Sequence, residues 1–175
     1  MRFRGVLFAA AVVASGVITP AAATLRISGD RGGQIGHYLQ TFSLVRSSGE
    51  RVVIDGYCLS ACTLVLGLVP RERICATPRA KLGFHAAWLP DAEGKPVTSA
   101  MGTQALWNIY PASVQRWINR NGGLSRKMIF LQGRELTQIV PSCDTQASRQ
   151  NARSSRRIVN HAMRDQTASA SSSRR

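Results

Sequence analysis

Beyond its first two dozen residues this sequence has no apolar run approaching the roughly 20 residues that cross a bilayer, which excludes a spanning helix there. It has three histidines, no histidine pair and no internal repeat. The four cysteines, Cys58, Cys62, Cys75 and Cys143, do not fall at a standard zinc spacing, so no metal site and no cofactor is expected. Aromatic residues make up only 6%, yet the hydrophobic content of 44% over 175 residues suits one compact domain rather than a disordered polymer.

The apolar run that is present stands at the start. Arg2 and Arg4 precede a stretch from Gly5 to Ile18, followed by Thr-Pro-Ala-Ala-Ala ending at Ala23. A short basic segment, an apolar run too short to span and small residues at its end form a secretory signal, with cleavage expected near Ala23. Residues 1–23 are therefore read as a signal peptide, residues 24–144 as the domain, and the product as periplasmic or secreted.

Export turns an even number of cysteines towards disulfides. Four cysteines allow three connectivities. The pairing favoured here joins Cys62 to Cys75 and Cys58 to Cys143, which ties the C-terminal segment to the core.

The net charge of +14 is unevenly spread. Residues 145–175 hold seven arginines and one aspartate in a Ser/Ala/Gln/Asn setting with too little apolar surface to fold, so a disordered tail is expected. It is read as a solvated extension. An exported chain would meet anionic lipid or envelope polymer with it rather than nucleic acid.

Along the domain, Thr24 to Ser28 alternates like a strand, and Gly29-Asp-Arg-Gly-Gly33 is a turn. Ile35, Leu39, Phe42 and Val45 fall on one helical face, ended by Ser47-Ser-Gly49. A strand at 51–54, a sharp turn at 56–60, a buried helix at 61–69 and strands at 73–77 and 81–86 follow, then an exposed loop at 90–97. Helical spacing returns around Leu106 and Ile109 and again at Val114, Trp117 and Ile118, with a strand near 128–131 and one more helical turn at 135–139. Alternation of strands and helices predicts an α/β fold with parallel pairing and crossover helices.

A serine acts as a nucleophile when a sharp turn presents its hydroxyl, a base takes its proton and backbone amides receive the oxyanion. Ser60, at a strand-to-helix turn, His85, near a strand end, and the Gly32-Gly33 turn are candidates for these parts. Taken singly, such residues are more often a helix cap, a packed histidine and a plain turn.

Together they resemble the Clp-protease/crotonase superfamily. Ile27-Ser-Gly-Asp-Arg-Gly-Gly33 is similar to the Gly-Gly turn of the Clp proteolytic subunit. Val53-Ile-Asp-Gly-Tyr-Cys-Leu-Ser-Ala-Cys62 is similar to its nucleophile turn, and Arg73 to His85 to its next two strands. The likeness covers residues 25 to 88 and implies a minimal βαβαββα core. It also implies Ser60 as nucleophile, His85 as base, and the Gly33 and Ala61 amides as oxyanion donors.

No acid stands where the family has its aspartate, because 123–127 is neutral to basic. Glu135 is the substitute considered first, then Asp55 or Asp91. His37 and Trp88 are placed near the same cleft. Two readings follow: a periplasmic serine hydrolase acting on peptide or ester bonds, or a non-catalytic envelope-binding module held by disulfides. The oligomeric state is open under either.

Overall fold

The computed structural model describes residues 23–145; the expected signal peptide and basic tail, apart from residues 23 and 145, lie outside them. The elements are strand β1 (Thr24–Asp30), helix α1 (Ile35–Ser48), strand β2 (Arg51–Leu59) and a 3-10 turn (Ser60–Leu64) running into helix α2 (Val65–Leu68). Strands β3 (Ile74–Ala76), β4 (Lys81–Phe84), β5 (Trp88–Pro90) and β6 (Pro96–Thr98) come next. Helices α3 (Ala100–Ile109) and α4 (Ala112–Arg120), strand β7 (Ile129–Gln132) and helix α5 (Gly133–Ile139) complete the domain.

The class is α/β as the alternation predicts, but the sheet is mixed rather than wholly parallel. β1, β2 and β4 are parallel neighbours, while β7 runs antiparallel against β4, with Phe84 opposite Ile129 and Lys81 opposite Gln132. β2 is long enough to take two partners on one side in turn. Its first half pairs with β3, from Val52 opposite Ile74 to Ile54 opposite Ala76, and its last three residues pair with β4.

Alternation decides which face is covered. Cys58, Leu82, Phe84 and Leu131 point into the core, whereas Tyr57 and Phe130 on the other face are exposed. Phe84 packs at the centre, its ring 5.5 Å from Trp117 and 5.4 Å from Tyr110. The apolar segment after Ser60 is buried as its composition predicts, although it begins as a 3-10 turn instead of a continuous α-helix.

Three local expectations change. β2 does not stop at Ile54 but continues to Leu59, so the chain turns at Ser60 itself. The segment expected as a loop at 90–97 is the tip of a β5–β6 hairpin, whose three-residue strands are too short to show alternation in sequence. The disulfides are Cys58–Cys62 and Cys75–Cys143, not the pairing favoured from sequence. The register gives the reason. Cys75 lies opposite Val53, five residues along β2 from Cys58 and about 17 Å away at the strand rise. Cys62, one turn past Ser60, is the cysteine that Cys58 can reach, at a Cα separation of 5.3 Å. Ser142 bridges to Ala76 beside β3, which brings Cys143 to Cys75. Cys143 does tie the C-terminal segment to the core, but through β3.

Candidate functional site

Ser60 and His85 come to the same edge of the sheet. Ser60 directly follows β2, His85 directly follows β4, and the two strands are parallel neighbours with Leu59 opposite Gly83. The residues thus leave adjacent strand ends, about 4.8 Å apart in the pairing direction and offset by one residue. Both are half-buried. No hydrogen bond joins the Ser60 hydroxyl to the His85 ring.

Ser60 has φ 55°, and among the described residues no other non-glycine has a positive φ. A serine in the left-handed region costs free energy and persists only where its surroundings hold it there. Three restraints do so. The Cys58–Cys62 disulfide clasps the residues on either side. Thr63 Oγ1 donates to the Ser60 carbonyl at 2.6 Å and lies 2.7 Å from the Tyr110 hydroxyl. Burial pushes the Tyr110 phenol up to about 12.

The third restraint is the Gly-Gly turn. Gly32 has φ 83°, and a Cβ there would stand 2.6 Å from Ser60 Cβ, 2.5 Å from the Leu59 carbonyl oxygen and 3.1 Å from the Ala61 nitrogen. The turn therefore lies in direct contact with the Ser60 turn and tolerates no side chain at Gly32. Asp30 holds it there. Its Oδ1 accepts from the Gly32 amide at 2.8 Å and from the Tyr38 hydroxyl at 2.5 Å. Burial first, and then this carboxylate, raise the Tyr38 phenol. Ala61 is the second residue of the 3-10 turn, so its amide is outside the turn's own hydrogen-bond ladder.

His85 stands on a well-anchored segment. The Ala86 amide donates to the Ser125 carbonyl at 2.8 Å, the Ala87 amide to Thr103 Oγ1 at 3.0 Å, and the Ser99 amide to the Ala87 carbonyl at 2.8 Å. The imidazole Nδ1 lies 2.7 Å from the Ala86 carbonyl oxygen. A carbonyl only accepts, so Nδ1 carries the proton, and in the neutral ring Nε2 keeps its lone pair.

None of the three carboxylates considered from sequence is placed to orient that ring. Glu135 is exposed on α5, beyond the end of β7 that pairs with Lys81, and four residues of strand put it about 13 Å or more from the His85 end. Asp91 accepts from the Glu93 and Lys95 amides in the hairpin turn. Asp55 is buried among Thr77, Arg79 and Arg26, of which Thr77 Oγ1 donates at 2.6 Å. Those hydrogen bonds, with Thr77 the strongest influence and Arg79 next, hold the Asp55 carboxyl down at about 2.

Of the remaining sequence candidates, His37 is exposed on α1, its ring edge-on to Tyr38. Trp88 lines a groove of about 320 Å³ beside His85, together with Ala86, Pro96, Arg126 and Met128. A larger open groove, about 790 Å³, lies over Asp55, Tyr57, Arg79 and Lys81 and includes neither Ser60 nor His85. Among the described residues no three His, Cys, Asp or Glu side chains gather as metal ligands. No helix among them is long and apolar enough to cross a membrane. The two disulfides fit an oxidising, extracellular setting.

Sequence reasoning passed over Asp30, Tyr38, Thr63, Tyr110 and the Ala86 carbonyl. Only Asp30 had a local signal, since Asp-x-Gly is an Asx-turn pattern. The others depend on contacts across the fold. No family model matches this chain, and no curated protein matches it either.

Proposed function

We propose that the protein is an exported serine hydrolase of Clp-protease/crotonase-like architecture, acting on peptide or ester bonds from the periplasmic or extracellular side. The observation that carries this reading is the left-handed Ser60, a strained residue held by a disulfide at the end of β2, directly beside the strand end that bears His85.

In this reading the Ser60 Oγ attacks the substrate carbonyl while His85 Nε2 takes its proton. The backbone amides of Gly33 and Ala61 are the donors for the oxyanion. His85 then gives the proton to the leaving amine or alcohol as the acyl–N or acyl–O bond breaks, and an ester on Ser60 is left. Water attacks that ester, its proton passing through His85 to Ser60 as the acid leaves. The Ala86 carbonyl takes the orienting part that a carboxylate plays in a full triad: it fixes the tautomer but, being neutral, stabilises the imidazolium less. Slow turnover is the expected consequence.

That no described carboxylate bonds the His85 ring, and that Ser60 and His85 share no hydrogen bond, favours the second reading, a non-catalytic binding module. A fluorophosphonate probe separates the two. Labelling of the full chain that disappears in Ser60→Ala and weakens in His85→Ala is expected; equal labelling of wild type and Ser60→Ala would sink the hydrolase reading.

A further inference from the structure

The groove beside His85 has a direction with respect to the reaction. It lies on the side of His85 that faces the hairpin and β7, and Ser60 is not among its walls. A histidine that serves as base and then as acid must stand next to the departing group, because that group receives its proton. A groove built on the histidine therefore holds the leaving group rather than the acyl part. This step rests on the proposed hydrolase reading.

The walls define what fits. Trp88, Pro96, Met128 and Ala86 supply an apolar body, and a volume of about 320 Å³ is at the small end of ligand pockets, enough for one large side chain. Arg126 is the charged residue of the wall; it is exposed and forms no ion pair with any described residue. Its position is tied to His85 through the backbone, since the preceding carbonyl, that of Ser125, accepts from the Ala86 amide at 2.8 Å. An apolar cleft with an unpaired guanidinium at its wall complements a group that is apolar in the middle and anionic at the end.

We infer that this groove is a leaving-group subsite for a C-terminal apolar amino acid, whose side chain packs on Trp88 and Met128 and whose free carboxylate meets Arg126. The chemistry is then removal of a terminal residue from a peptide.

Calorimetric titration of the full-length Ser60→Ala protein, which cannot turn the ligand over, tests this with N-acetyl-Ala-Phe and its C-terminal amide. The free acid is expected to bind about two- to fivefold more tightly, as an ion pair to an exposed guanidinium allows. Arg126→Gln should bring the acid to the level of the amide. Equal affinity of acid and amide, no binding of either at millimolar concentration, or an unchanged preference in Arg126→Gln would overturn the proposal. The readout is binding, so missing fluorophosphonate labelling would remove the hydrolase reading without altering this result, and loss of the acid preference would leave the labelling untouched.

Discussion

The two halves of β2 use polar groups in opposite ways. Around Asp55 every charge is answered: the carboxylate accepts from Thr77, Arg79 and Arg26, and it pins the connection at 77–80 that carries the chain from β3 to β4. The Cys75–Cys143 disulfide closes the same region. At the far end, Ser60 is held in an unfavourable backbone conformation with its hydroxyl bonded to no described residue, and His85 meets a carbonyl rather than a carboxylate. One half satisfies its groups and stabilises the sheet. The other keeps strain at Ser60 and a lone pair on His85 Nε2, where the proposed hydrolysis would use them.

The disulfides give the largest expected contrast. Removing Cys75–Cys143 by a double alanine substitution opens a loop with a sequence separation of 68 residues, and chain entropy puts the loss at about 4 kcal/mol. Removing Cys58–Cys62, with a separation of 4, should cost about 2 kcal/mol. Fluorophosphonate labelling should follow the reverse order. The folded Cys75→Ala/Cys143→Ala protein should still label, whereas Cys58→Ala/Cys62→Ala should lose most of its labelling. Denaturant titration alongside labelling checks both, and parallel losses in the two variants would erase the distinction between the halves.

Gly32→Ala is a narrower break at the Ser60 end. It places a Cβ against Ser60 and Leu59 at a φ of 83°, so a destabilisation of about 1–3 kcal/mol is expected, with labelling nearly abolished in the protein that remains folded. Retained labelling would mean that the Gly-Gly turn does not shape the site.

The smallest effect belongs to the Asp55 end and appears in its pH dependence. The folded-state pKa is held at about 2, below the ordinary 3.8, so the carboxylate's contribution is fully present above about pH 4. It is lost as pH falls from there to about 2. Asp55→Asn should melt lower than wild type at pH 7, and the two should converge towards pH 2 with labelling at pH 7 unchanged. Melting curves that stay parallel across that range would refute the assignment.

Much of the frame was legible in the residues. The helical spacing of Phe42 and Val45, the buried run after Ser60 and the breaks at Gly49 and Pro111 announce their elements, because burial periodicity and turn chemistry are local. The β5–β6 hairpin was hidden by its brevity, and the antiparallel β7 by the fact that strand direction leaves no mark on composition. The disulfide pairing was misread for a related reason: it depends on which cysteines share an end of β2, a matter of register. At the site, residue types suggested Ser60, His85 and the glycines, and the fold brings all of them to one region. Glu135, the first substitute considered from sequence, stands exposed on α5 away from His85, and Asp55 is engaged by Thr77, Arg79 and Arg26.

The sequence by itself determined that this is an α/β domain with a serine at a strand-to-helix turn, a glycine pair ahead of it and a histidine two strands on, since each follows from local pattern. Only the tertiary structure decided that β2 and β4 are neighbours, that Ser60 is forced to φ 55°, and that a backbone carbonyl stands where an acid was sought. The physical reason is that these depend on register and on packing between segments distant in the chain, and neither leaves a local trace.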